Sequence, residues 1–398
     1  MVSSKSPTSH LGKLTLPSLV LARFATQPSG LIMGLLLIEI GQTFSVPVGV
    51  AGQIGAFSSL IGLIFALLMG ILSVKYNHKS LLLIGLLAYS VCALGCCITP
   101  NYWMMMVAFS LSGIGMAMVR PMAPAIVGEN TPLERRSHAV GWLIAGGSIS
   151  YLIGAPIVGY IANQWGWRTT FLVYMFPVSI ISLFLAYVGI PGKRTTSESE
   201  RKEVNYLDGF RKVFKNRSAI ACLLGASLGM AAWTATLSYS ISFFRQRFSV
   251  PTSWASIILS GLALCFTTGS LSSGYLINVF GRKKFTVIST LLLGMVTITF
   301  MNLGVFWLSL ALAFFSCIVA GMRYSASDSL TLEQIPEFRG SMMSISSAAS
   351  SLGSTLGAGI GGVTLVLWSY GGLGLTLGTF GIVAATVYLL FAIDPALK

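Results

Sequence analysis

The sequence predicts an all-α membrane protein, with twelve transmembrane helices arranged as two pseudo-symmetric six-helix bundles. Three observations carry that prediction. Of 398 residues, 54% are hydrophobic and only 9% charged, against about 25% charged in soluble domains. The apolar stretches are continuous and about 20 residues long, the length an α-helix needs to cross roughly 30 Å of hydrocarbon; transmembrane barrels read instead as short alternating segments. The two halves also echo each other at an offset of 204: Gly70, Leu72 and Lys79 match Gly274, Leu276 and Lys283, and Pro132, Arg135 and Ser137 match Pro336, Arg339 and Ser341. Duplicated bundles with a ligand site between them near the midplane are a known transporter plan.

Helices 1 to 12 are expected at 15–38, 49–72, 81–99, 104–127, 139–163, 169–190, 219–243, 254–277, 285–303, 305–328, 342–367 and 372–393. The first is read as retained and not as a cleaved leader. With both termini on one side, that side receives 19 of the 25 Lys and Arg, among them Lys5, Lys13, Lys75, Lys79, Arg135, Arg136, Arg282, Lys283, Lys284 and Arg339. The other side receives only Arg168, Arg245 and Arg247. This bias places both termini in the cytoplasm of a multi-pass protein of the cell (inner) membrane. The net charge of +14 therefore reads as a topology signal and not as a nucleic-acid footprint.

A polar segment, 191–217, holds eight basic and four acidic residues and divides six helices from six. The expected organisation is an N-terminal bundle over 1–190, a cytoplasmic basic linker over 191–217 and a C-terminal bundle over 218–398. Within the linker, Tyr206 to Phe214 reads either as an amphipathic helix lying on the membrane face or as a solvated connector. All six cysteines fall in apolar helices without metal spacing, the pattern of small packing residues. No metal or cofactor is called for.

The loop after helix 8 reads Gly274-Tyr-Leu276-Ile-Asn278-Val-Phe-Gly281-Arg282-Lys283, and the one after helix 2 gives a degenerate copy, Gly70-Ile-Leu72-Ser-Val74-Lys75-Tyr-Asn77-His78-Lys79. Helix 5 carries Gly154-Ala-Pro156-Ile-Val-Gly159, leading to Trp165-Gly-Trp167-Arg168. With the Pro132, Glu134, Arg135, Arg136 loop, these stretches resemble the major facilitator superfamily, above all its twelve-helix drug:proton antiporter branch, over essentially the whole chain. The resemblance implies the major facilitator fold, a cavity lined by helices 1, 4, 7 and 10, and loops after helices 2 and 8 that help latch the cytoplasmic side. Val74 and Asn278 stand where the family has Asp, so the acidic half of that latch is missing from both copies. A tight turn there needs glycine with φ > 0.

Three arginines lie inside helices: Arg23 in helix 1, Arg120 in helix 4 and Arg323 in helix 10. At 1.5 Å per residue each lies about 8–12 Å below the basic surface. A central intramembrane Arg costs about 2.5–3.5 kcal/mol on the insertion scale and usually marks a pathway, and its forked donors suit carboxylate or phosphate. Pairing between helices and snorkelling to headgroups are the alternatives. Gln27, Trp233 and Tyr239 complete the expected substrate cavity, although core packing accounts equally well for each. Proton coupling needs a titratable group in the membrane. His10, His78 and His138 all fall in cytoplasmic segments, which leaves Glu39 and Asp328 at helix ends. Gly146, Gly147, Gly154 and Gly159 of helix 5, and Gly353, Gly357, Gly359, Gly361 and Gly362 of helix 11, read as static packing sites or as smooth faces where the bundles rock.

No H-E-x-x-H, G-x-S-x-G or phosphate loop occurs, which argues against an enzyme or a primary pump. The expectation is a secondary transporter working by alternating access as a monomer in lipid, with a small-molecule substrate and a proton or other coupling ion. The resemblance points to efflux. Proton-coupled uptake of an organic anion or metabolite, and a non-transporting solute sensor, are the alternatives. The arginines favour an anionic or strongly polar substrate over a lipophilic cation.

Overall fold

The computed structural model describes residues 14–131, 133–191 and 206–394. The expectations on Lys5, His10, Lys13, Pro132 and the linker stretch 192–205 lie outside these residues, as do those on the side chains of Val74, Glu134, Arg135, Arg136 and Arg339.

Helix 1 is broken, with segments Thr15–Ala25 and Pro28–Thr43. Pro28, lacking an N–H, starts the second segment, where that donor would be unpaired anyway. Helix 2 comprises Val48–Ala51 and Gln53–Lys75; helices 3, 4 and 5 are His78–Ile98, Tyr102–Asn130 and Leu133–Trp165. Helix 6 is Trp167–Gly189. The second half repeats the plan with helix 7, Arg217–Phe248, helix 8, Thr252–Phe280, helix 9, Arg282–Asn302, and helix 10, Phe306–Leu332.

The last helical run, Arg339–Phe391, has 53 residues and would measure about 80 Å if straight, more than twice the membrane core. Ser369 breaks it with a left-handed φ of 69°. The chain turns back there, so 339–368 is helix 11 and 370–391 helix 12. Length and composition alone count 11 spans; the break at Ser369 makes them twelve.

Within each half comparable bonds tie the corresponding helices. Thr15 Oγ1 donates to the Gly189 carbonyl at 2.7 Å, tying the start of helix 1 to the end of helix 6. The Ile393 N–H donates to Ser218 Oγ at 2.8 Å, tying the start of helix 7 to the end of helix 12. Lys79 Nζ caps helix 6 through the Tyr187 and Ile190 carbonyls at 2.7 and 2.6 Å, and the Lys283 N–H reaches Asp394 Oδ2 at 3.3 Å. Ser58 pairs with Ser112 at 2.9 Å between helices 2 and 4, and Ser270 with Ser325 at 2.7 Å between helices 8 and 10.

One turn departs from expectation. Gly281 has φ 79°, as the tight turn after helix 8 requires. Its counterpart Asn77 keeps φ −66° and instead N-caps helix 3, its side chain accepting from the Lys79 N–H at 3.0 Å. The first loop is therefore built by a cap and not by a left-handed glycine.

The linker helix, Tyr206–Lys215, is neither free in solvent nor simply laid on lipid. Val213 is fully buried among Ala219, Leu223, Ile335, Met342 and Ile345, and Lys212 Nζ lies 4.8 Å from the Phe338 ring centre. The helix docks on the C-terminal half. At the far end, away from the termini, Trp103, Trp165, Trp254, Trp307 and Trp368 are all more than 60% exposed, the placement of an interfacial aromatic belt.

Candidate functional site

The two halves meet chiefly along the helix pairs 2 with 11 and 5 with 8, and also where helix 1 meets helix 7. Their bonds gather at the far end. Gln53 Nε2 donates to the Gly359 carbonyl at 2.9 Å and Ser260 Oγ to the Leu152 carbonyl at 3.1 Å, and within the C-terminal half Tyr239 Oη donates to the Ala358 carbonyl at 3.0 Å. Close approach there depends on missing side chains. A Cβ on Gly362 would collide with the Gly49 carbonyl and Gln53, and one on Gly159 would stand 2.6 Å from Ser256.

An ion pair locks this end. Arg245 of helix 7 donates through Nη1 and Nη2 to both carboxylate oxygens of Glu39 in helix 1, at 2.8 and 2.6 Å. The same guanidinium reaches the Leu35 carbonyl at 3.0 Å and Thr252 Oγ1 at 2.9 Å. A bidentate, charge-assisted pair of this kind fixes geometry as well as adding attraction. At the other end Gly128, Gly141 and Gly274 have open space around them. These bonds between the halves all lie at the far end.

The charged cluster lies beneath this seal. Arg23 and Arg120 belong to one half; Arg323, Tyr324 and Asp328 belong to helix 10 of the other. Arg120 acts electrostatically on Arg23, Tyr89, Tyr151 and Asp328, and so forms the hub. Asp328 lies in the field of both Arg323 and Arg120. Arg23 Nη1, Arg323 Nε and Arg323 Nη1 are buried without a hydrogen-bond partner. Such orphaned donors are costly; that of Arg23, which borders the cleft, is the signature of a group awaiting a ligand or water, whereas Arg323 is sealed from it.

The sequence model of the Major Facilitator Superfamily matches residues 19–271 and 241–398, which is nearly the whole chain. The chain belongs to the major facilitator superfamily. Among its relatives, a probable sugar efflux transporter of Pasteurella multocida is 24% identical over 381 residues, covering 93% of this chain and 90% of the relative. The cis,cis-muconate transport protein of Acinetobacter baylyi is 22% identical over 404 residues, covering 98% and 94%. Among solved structures, a bacterial homologue of the human lysosomal transporter Spinster, inward-facing and unoccupied, superposes with a TM-score of 0.81 at 16% identity over 97% of both chains.

This superfamily member places its sequence-predicted residues unevenly. Arg23, Arg120 and Asp328 come together, half-buried, between the halves. Arg323 is only 2% exposed, its guanidinium pressed against the backbone of Gly229 in helix 7. Gln27 sits at the break in helix 1, donating to Thr26 Oγ1 at 3.1 Å and facing Gly147. Trp233 is 8% exposed and stacks on Phe266 with ring centres 5.0 Å apart, so it is largely core. Tyr239 is not on an open cavity wall: it is fully buried in the far-end seal, against Gly52 and Gly362. Glu39 belongs to the lock with Arg245.

The glycines divide the same way. Gly353 and Gly357 press on Ser227 and Ala231 of helix 7, inside their own half. Gly359 and Gly362 face Gln53 of helix 2 across the interface. On helix 5, Gly146 and Gly154 pack within their half and Gly159 meets helix 8. The loop residues Gly274, Asn278 and Lys75 are exposed, and Lys79 is spent on capping helix 6. Sequence reasoning missed Arg245, which it read only as a topology marker. Its signal was an arginine three residues before the end of a long apolar helix.

Proposed function

We propose that this chain is a secondary transporter that moves a small organic anion by alternating access, with Asp328 as the proton-binding group. The observation that carries the reading is the pair Arg23 and Arg120, held between the halves without a carboxylate of their own and beside Asp328. Ionised Asp328 competes with an anion for Arg120. A proton on Asp328 removes that competitor and the anion binds better, so proton and anion load together. By linkage, each raises the affinity for the other. Co-loading is the condition for symport, and supports proton-coupled uptake.

The basic end, with both termini, is read as cytoplasmic, which makes the conformer shut at the far end an inward-open one in the cell membrane. Both halves of the cavity come from one polypeptide, which supports a monomer as the working unit. Efflux by proton exchange, as in the drug:proton antiporter branch, is the second reading. It is favoured by the helix 5 stretch Gly154-Ala155-Pro156 and by the relative named for sugar efflux.

The test is transport in proteoliposomes with an imposed pH gradient and a panel of organic anions and lipophilic cations. An anion accumulating in the direction of proton flow is the expected result. Movement against proton flow would replace symport by exchange, and a preference for cations would remove the anion reading.

A further inference from the structure

The charges of the cluster do not cancel, and the way they fail to cancel points to a ligand. Arg323 has Asp328 five residues away on the same helix, and each lies in the other's field. It is sealed from the cleft, 2% exposed. Arg23 and Arg120 are not sealed in this way, and Arg120 shares Asp328 only while that carboxyl is ionised. They come from two helices of the other half, each is half-buried, and each repels the other. The other carboxylates of the N-terminal half's ion pairs lie at other levels: Glu39 is engaged by Arg245 at the far end and Glu129 by His78, at 2.8 Å, at the termini end. Among the described residues no carboxylate bonds to either guanidinium. Arg23 Nη1 is buried with no partner at all.

We infer that the site takes a dicarboxylate, a solute with one carboxylate for Arg23 and a second for Arg120. The inference rests on the anion reading above and narrows it. A monoanion would leave one of two adjacent guanidinium groups uncompensated in a low-dielectric cleft, where charge is costly. Two carboxylates answer both. The donors lie on different helices, 1 and 4, so a ligand with its charges at two ends reaches them better than one with both on a single group. Tyr324, from the opposite half, lies in the field of Arg23, which brings helix 10 to the same ligand and gives it contact with both bundles.

The test compares binding of straight-chain dicarboxylates and monocarboxylates of equal carbon number, four to eight carbons, to the purified full-length protein by calorimetry. Wild type is expected to bind at least one dicarboxylate tenfold or more tighter than its monocarboxylate partner. Arg23→Gln is expected to erase that ratio while monocarboxylate binding survives, and Arg23→Lys to restore part of it. The thermal unfolding midpoint of each variant reports whether it is folded; if Arg23→Gln does not fold, Arg23→Lys and the wild-type ratio decide. Equal affinity for the two series in wild type, or a ratio unchanged in Arg23→Gln, overturns the dicarboxylate inference and leaves the anion reading standing. Binding of neither series overturns both.

Discussion

At the scale of single residues, space and charge are set together around Arg323. A Cβ at Gly229 would collide with its guanidinium. Glycine to alanine inside a helix ordinarily stabilises by about 1 kcal/mol. Here the sign reverses, because overpacking costs about 1–3 kcal/mol. Gly229→Ala is therefore expected to lower the thermal midpoint in detergent and to weaken proton-driven transport. An unchanged midpoint would mean that the guanidinium has room to move aside. Asp328→Asn is expected to abolish proton-driven accumulation while solute exchange between the two sides persists, since only the proton site is lost. Accumulation that survives in this variant assigns the proton to another group.

Much of this cluster was legible beforehand, and the reason is energetic. A charge inside an apolar run is rare enough that Arg23, Arg120 and Arg323 stand out without any structure, whereas Asp328 reads only as a carboxylate at a helix end. What spacing did not reveal was which charges meet. Glu39 and Arg245 are 206 residues apart, and nothing in the local pattern of either helix records their shared level. Tyr239 was misplaced for the same reason: an aromatic with a hydroxyl fits a cavity wall or a seal equally well, and only the neighbouring Gly52 and Gly362 decide.

At the scale of elements, helices 2 and 11 form a seam that glycine makes possible. Because Gly362 faces Gly49 and Gln53 directly, Gly362→Val is expected to prop the seam apart. Transport should fall by an order of magnitude or more at normal expression, as the far end no longer closes. Full activity would show that the helices separate and repack at no cost. The latch between helices 1 and 7 makes a parallel case: Glu39→Gln removes one charge of a bidentate pair that is only 12% and 25% exposed. It is expected to shift the population toward an open far end. The twelve helices and their repeat were readable from hydropathy and offset, including the division between 367 and 372; that the single residue Ser369 makes the turn was not, because serine rarely adopts a positive φ.

At the scale of the whole molecule, the bonds that join the halves gather at the far end, so chemical access is expected to differ along the axis. In a background with the six cysteines replaced, Gly141→Cys is expected to react with a membrane-impermeant thiol reagent applied from the termini side. Ser260→Cys, 7% exposed in the wild-type seam, is expected to stay protected. Labelling of both from that side would mean that the resting molecule is not the conformer described here. A rise in labelling at position 260 from the far side on introducing Glu39→Gln would connect the latch to the whole-molecule state.

The hairpin at Ser369 has a mechanical consequence. With one residue and no loop between helices 11 and 12, the two have no slack and must swing as a single rigid arm. Helix 12 ends next to Asp394, whose carboxylate receives the Lys283 N–H at the start of helix 9. Tilting helix 11 off helix 2 therefore pulls on the turn between helices 8 and 9, some 30 Å away across the bilayer. Opening one mouth is in this way geared to the other by the chain turn at Ser369 and the Lys283–Asp394 hydrogen bond.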